Sequence, residues 1–283
     1  MSLTVQTWSS RVRHLVPAPL RTRSYPLRRH IWQRLNNPSG KSSPVFLVGC
    51  GRSGTSMLVF HLSRSWQIDL YNEDHPHAFV RWRLREPSVV RALVQKSKAR
   101  VVLFKPILDT HMTQELLKEF AGAKALFVFR HYDDVINSSL KKFGIENWKE
   151  RVDRWIGADF AEFSTAPPSL ESRERIRRLW QPALSPESAT ALYWLFYNSL
   201  YYDLGLYADS RVHLVQYENL VSAPQQQFDA ICKFLSISLI PDMMEGVFAT
   251  SIARQAQPKI EQNIRDACEQ LWQKLSRDVN RTG

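Results

Sequence analysis

Acidic residues are missing from the first quarter of the chain. No Asp or Glu occurs between Met1 and Ile68, while Arg11, Arg13, Arg21, Arg23, Arg28, Arg29, Arg34, Lys41, Arg52 and Arg64 contribute ten positive charges. Of the 38 basic residues, 28 are left for the rest of the chain, where they meet all 27 acidic ones. The net charge of +11 therefore belongs to the head. Nucleic-acid binding is disfavoured, because it spreads Lys and Arg over the folded body or gathers them on one recognisable helix. An Arg-rich, acid-poor head has several readings: a dock for anionic lipid, for an acidic partner or for the rest of this protein, a transit peptide, or a solvated arm wrapping the domain surface.

Cysteine is scarce too. Cys50, Cys232 and Cys268 are too few and too scattered for a disulfide framework or a CxxC zinc site, which points to a reduced, cytoplasmic setting without structural metal. No apolar run approaches the roughly 18 residues of a spanning helix. No apolar stretch of about 7–15 residues follows the early positive charges, so a secretory signal is disfavoured. Internal repeats are absent. What is present is a chain of 283 residues, 44% hydrophobic, enough for a substantial core and consistent with one domain.

The turn formers Asn36-Asn37-Pro38-Ser39-Gly40-Lys41-Ser42-Ser43-Pro44 separate the basic head from the remainder of the chain, giving an N-terminal arm, 1–43, and a domain, 44–283. Val45-Phe46-Leu47-Val48, Val101-Val102-Leu103-Phe104, Ala125-Leu126-Phe127-Val128-Phe129 and Val212-His213-Leu214-Val215 are short apolar runs of the kind that form buried parallel strands. Helical patterns lie at about 54–66, 113–120, 133–143, 189–206 and 225–235. Strands alternating with helices predict an α/β fold, a parallel central sheet flanked by helices on both faces. Pro167, Pro168, Pro182 and Pro186 mark 164–187 as an irregular excursion or lid.

The segment Gly49-Cys50-Gly51-Arg52-Ser53-Gly54-Thr55-Ser56 sits between the first strand and its helix. Glycines there let backbone N–H groups turn toward an anion, and the helix N-terminus adds the positive end of its dipole. This predicts a phosphate site over Gly51, Arg52, Ser53, Gly54, Thr55 and Ser56. The spacing matches the P-loop frame G-x-x-x-x-G-K-[ST], except that Thr55 stands where the lysine belongs. A nucleoside triphosphatase needs that lysine, and a second-strand Asp to help hold Mg²⁺. The strand ending in Phe104-Lys105 offers no such Asp. A P-loop nucleotide kinase or other phosphotransferase is thereby opposed and stays as the alternative enzyme. Outside enzymes, the alternative is a nucleotide-binding adaptor at a membrane surface.

The loop resembles the 5'-phosphosulfate loop of sulfotransferases that use 3'-phosphoadenosine 5'-phosphosulfate (PAPS). A second stretch, Phe129-Arg130-His131-Tyr132-Asp133-Asp134-Val135-Ile136-Asn137-Ser138, is similar to that family's 3'-phosphate motif, R-x-P-x-D-x-x-x-S, with Tyr132 in place of the proline. A third, Gln216-Tyr217-Glu218-Asn219-Leu220, is similar to its Tyr-Glu-x-Leu. Together they span about Pro44 to Pro224. The resemblance implies the P-loop NTPase-like sulfotransferase fold, PAPS as co-substrate without a metal, and Arg130 and Ser138 on the 3'-phosphate. It also implies in-line transfer of a sulfonyl group, with Lys105 of Phe104-Lys105-Pro106 stabilising charge on the bridging oxygen.

An acceptor hydroxyl needs a general base within about 3 Å. Glu73, in Tyr71-Asn72-Glu73-Asp74-His75-Pro76, stands where a second strand should end, a position at which Golgi-type and protein-tyrosine members of the family carry a base glutamate. Alternation along an extended chain would point His75 the same way, so His75 is the substitute. The histidine two residues after the lysine in cytosolic members is Ile107 here, and His111 falls too late. The family's late G-x-x-G-x-x-K element is absent. Ser251, Arg254 and Lys259 are candidates to cover the phosphates or are solvated loop charge. The aromatics of 193–207 are expected in the core rather than in an acceptor cleft. The acceptor class expected is a carbohydrate, glycolipid or small natural product, with peripheral membrane contact through the basic arm.

Overall fold

The computed structural model describes residues 18–157, 160, 169–247 and 256–282. Five parallel strands, β1 (Ser43–Gly49), β2 (Ile68–Tyr71), β5 (Val101–Phe104), β6 (Lys124–Phe129) and β7 (Val212–Gln216), form one sheet in the order β2-β5-β1-β6-β7. A two-stranded antiparallel hairpin, β3 (Phe79–Val80) and β4 (Arg83–Leu84), stands apart. The four apolar runs of the sequence are β1, β5, β6 and β7, whose middles are covered on both faces and have no solvated side to mark with polar residues.

In β1 the alternation is explicit. Val45 and Leu47 pack with Leu58, Leu62, Phe228 and Ile231 on one face, and Phe46 and Val48 pack with Val90, Leu117, Phe127 and Leu275 on the other. The first face is covered by α2 (Thr55–Leu62) and α10 (Pro224–Leu235). The second is covered by α3 (Pro87–Lys96), α4 (Thr113–Glu119) and α11 (Gln262–Thr282). A further cluster joins α5 (Tyr132–Phe143), α6 (Ile145–Gly157), α7 (Leu170–Leu179) and α8 (Pro186–Asp203) around the buried Trp194, Phe196 and Tyr197. One short helix, α9 (Tyr217–Ser222), follows β7 directly.

One expectation is corrected. The Pro-rich stretch is not irregular throughout: Ser169 caps α7 by accepting from Ser172 N (3.2 Å), and Ser185 and Pro186 open α8. Within the basic head, 18–36 form helix α1 (Ala18–Asn36), held to the body by Arg29 and Gln33. The turn formers after it do break the helix, with Gly40 at φ +63°. No helix among the described residues is long and apolar enough to cross a membrane.

From central β1 the chain runs first to the β2 edge and later to β6 on the other side, so the direction of winding reverses between β1 and β6. In such sheets the crevice outside the carboxyl ends of those two strands is where ligands bind.

Candidate active site

Both sequence motifs open onto that crevice. The loop Gly49–Ser56 leaves β1, and the turn Arg130–His131 leaves β6, in neighbouring strands whose ends are in register at Gly49 and Val128. Gly54, at φ +86°, lets the chain turn into α2, and a methyl group on it would lie 2.1 Å from the Tyr217 ring. Only glycine fits that contact. The first N–H groups of α2, those of Thr55, Ser56 and Met57, have no partner within the helix and are available to an anion. From behind, Thr110 Oγ1 accepts from Gly49 N (2.9 Å) and lies within 3.0 Å of Gly49 O and 2.9 Å of Ile107 O.

The first two motifs touch. Arg52 Nε donates to Ser138 Oγ at 3.0 Å, across 86 residues of sequence. Arg52 itself is in the left-handed region at φ +68°, an arrangement that costs energy for a side chain of this size. Arg130 is buried, pairs with Asp134 (3.1 Å) and lies over the Tyr217 ring at 4.5 Å. The carbonyl of Arg130 accepts from Trp194 Nε1 (2.9 Å), and Glu218 Oε1 accepts from His131 N (2.9 Å). Burial pushes Glu218 above the usual carboxylate range. Tyr217 thus fills the space between Gly54 and Arg130, and the third motif fastens the other two. Tyr132, where the proline was expected, is buried, stacks on His131, meets Trp194 edge-on and donates to Glu269 (3.0 Å).

The reactive groups converge beside the loop. Lys105 Nζ, at the end of β5 and almost fully buried, donates to Ser56 Oγ (3.0 Å) and to Glu73 Oε1 (3.1 Å). Glu73 therefore pairs with the strand-end lysine, and Arg83 pairs with Asp109 (2.9 Å). Residues 72–75 form a turn, with His75 N donating to Asn72 O (2.9 Å), so the extended alternation expected for Glu73 and His75 does not hold. His75 packs on Tyr71 and His77, while Glu73 lines the cleft.

That cleft, of about 360 Å³, is bounded by Arg52, Ser56, Glu73, Lys105, Trp82 and Phe143. Ser139 and Tyr193 also reach it, and the buried Ser139 hydroxyl has no hydrogen-bond partner among the described residues. Neither these two nor Trp82 is marked in the sequence by spacing or glycine. Trp194, Phe196, Tyr197 and Tyr201 are core as expected, whereas Tyr193 faces the cleft and Tyr207 is exposed. Ser251 and Arg254 lie outside the described residues. Lys259 is exposed, and nearby Ala256 O accepts from Asn137 beside Ser138 (3.2 Å). A second cavity, of about 380 Å³, lies at the opposite ends of the strands, lined by Lys41, Arg100 and Lys124 and remote from the switch point. Among the described residues, no three His, Cys, Asp or Glu side chains are grouped to hold a metal ion. Burial raises the Cys50 thiol far above its ordinary value, leaving it inert beside the loop.

The family model for the sulfotransferase domain matches residues 42–276. The chain belongs to the sulfotransferase family. No curated protein matches this sulfotransferase by sequence. Among solved structures it is similar to the sulfotransferase domain from the curacin biosynthetic pathway, at 16% identity over 82% of this chain and 98% of that one, with a TM-score of 0.50. A sulfotransferase from Alicyclobacillus acidocaldarius is 20% identical over 85% of this chain and 94% of its own, with a TM-score of 0.47. The sulfotransferase domain of the Synechococcus PCC 7002 olefin synthase is 16% identical over 85% and 97%, with a TM-score of 0.45. At these identities the likeness is one of fold, and the chemistry of this sulfotransferase has to be argued from its own cleft.

Proposed function

We propose that this sulfotransferase moves a sulfonyl group from PAPS to an acceptor hydroxyl by in-line displacement. The observation that carries the reading is the 3.0 Å hydrogen bond from Arg52 to Ser138, which joins the loop after β1 to α5, the helix that the turn after β6 opens. A ligand with anionic groups at two separated positions fits two adjoining anion-binding turns; a monophosphate would need only one.

The residues fit such a co-substrate on structural grounds. The free N–H groups at the start of α2, with the hydroxyls of Ser53, Thr55 and Ser56 and the guanidinium of Arg52, would hold the 5' end. Arg130 and Ser138 would hold the 3'-phosphate. When bound, PAPS supplies an activated sulfonyl group whose transfer leaves negative charge on the departing phosphate oxygen. Lys105, already turned toward the loop by Ser56, donates to that developing charge. Glu73 accepts the proton of the acceptor hydroxyl, and its pairing with Lys105 keeps the carboxylate aimed at the cleft. The rings of Trp82 and Phe143, 59% and 41% exposed, offer flat apolar faces to the body of a carbohydrate, glycolipid or small natural product.

Calorimetric titration with the desulfated bisphosphate and with ATP, each with and without Mg²⁺, tests the donor. Preference for the bisphosphate without Mg²⁺ is expected; preference for Mg-ATP would replace this reading by a kinase. Arg130→Ala should weaken bisphosphate binding by about 2–3 kcal/mol through loss of a buried charge-assisted contact, and an unchanged Kd would remove Arg130 from the site.

A further inference from the structure

The two sides of helix α1 differ. One side is bonded to the body: Arg29 donates to Asp69 (3.0 Å) and to Ile68 O, Gln33 donates to Trp66 O (2.9 Å) and Asp69 (2.9 Å), and Trp32 meets Trp66 edge-on. The other side carries Leu27, Ile31 and Leu35, which at spacings of four form one stripe and are 63%, 49% and 73% exposed. Arg28 and Arg34, both exposed, fall one on each flank of that stripe. A row of three large aliphatic side chains left in water on a helix already anchored by its opposite face calls for an occupant.

We propose that this stripe seats α1 on the surface of a bilayer containing anionic lipid. Aliphatic side chains entering the boundary between headgroups and acyl chains, with arginines at either side reaching lipid phosphates, is the arrangement by which amphipathic helices lie in a membrane interface. Charge selects the occupant. The sequence holds no carboxylate before Asp69, and Asp69 is bonded to the docked side of α1, facing away from the stripe. A second copy of the chain would oppose this basic surface with its own arginines, and an acidic protein would leave the aliphatic row without a reason. The anchor also has a bearing on the cleft, since β2 receives α1 at Ile68 and Asp69 and ends at Tyr71, two residues before Glu73.

Sedimentation of the full-length protein with phosphatidylcholine vesicles, with and without phosphatidylserine, tests the proposal. Binding is expected only when phosphatidylserine is present and should weaken with salt. A variant carrying Leu27→Ser, Ile31→Ser and Leu35→Ser should lose binding by about tenfold or more, and Arg28→Gln with Arg34→Gln should lower it as well. All five side chains are exposed, and thermal unfolding verifies that the variants remain folded. Residues 1–17 are retained throughout, so any loss belongs to α1. Three results overturn the proposal: binding that survives the triple serine variant, absence of vesicle binding with a concentration-dependent dimer that the variant abolishes, or equal binding to soluble polyglutamate. None of them touches the transfer reaction, which the nucleotide titration tests separately.

Discussion

At the scale of the residue, the pair Lys105 and Glu73 carries the proposed transfer. The lysine is almost fully buried and the carboxylate is 30% exposed, so one end of the ion pair is fixed in the protein and the other looks into the cleft. A cation with no freedom to move stabilises charge without reorganising, and the carboxylate is the member of the pair that an acceptor in the cleft can reach. Glu73→Gln keeps the hydrogen bond to Lys105 and removes the basicity. Turnover should fall by about 10²-fold or more, with bisphosphate affinity unchanged by calorimetry. Wild-type turnover in this variant would transfer the role of base elsewhere, with His75 the first to test.

Elements explain what was legible in the sequence and what was not. The inner strands announce themselves as unbroken apolar runs because helices cover both their faces. Edge strand β2 is short, only partly buried and carries Asp69, which is committed to Arg29 and Gln33, so it leaves no such run. Helix α1 is hidden by Pro26, a residue that ordinarily ends a helix, and by charge, because its stability comes from contacts with the body around β2 that local preference does not encode. The loop after β1 was readable because a tight turn against Tyr217 demands glycine at Gly54. Trp82 was unreadable for the opposite reason. The β3–β4 hairpin turns through Arg81 and Trp82, at φ +50° and +62°, where a two-residue turn favours Asn-Gly. Bulky residues in that conformation are held there at a cost. Replacing them, Arg81→Asn with Trp82→Gly, should raise stability by about 1–2 kcal/mol, raise KM for the acceptor and leave bisphosphate binding unchanged. Thermal unfolding and steady-state kinetics measure these effects, and a stabilised variant with an unaltered acceptor KM would dissociate the hairpin from acceptor recognition.

For the whole molecule, the sheet and its two helical layers bury histidines that must stay neutral. Burial, reinforced by the Arg83 charge, holds His111 down to about 3, and burial also lowers His61, His131 and His213. Between pH 3 and the ordinary value of 6.5, an unfolded His111 binds a proton that the folded one does not, so stability declines as pH falls below 6.5. The buried carboxylates Asp109, Asp133 and Glu218 are raised instead and oppose this trend at lower pH. His111→Gln should therefore lose less stability than the parent on acidification, the difference reaching about 1.4 kcal/mol by pH 5.5. Urea unfolding at pH 7.5 and 5.5 measures it. Parallel losses in the two proteins would show that His111 does not set the slope.

The Thr110 hydroxyl, set between Gly49 and the carbonyl of Ile107, has a consequence for traffic. It ties the base of the loop after β1 to the segment just after Lys105, while Tyr217 packs against the same loop at Gly54. In the proposed reaction the acceptor therefore approaches from the exposed side of the cleft, where Trp82 and Phe143 stand, opposite the loop that these two contacts hold.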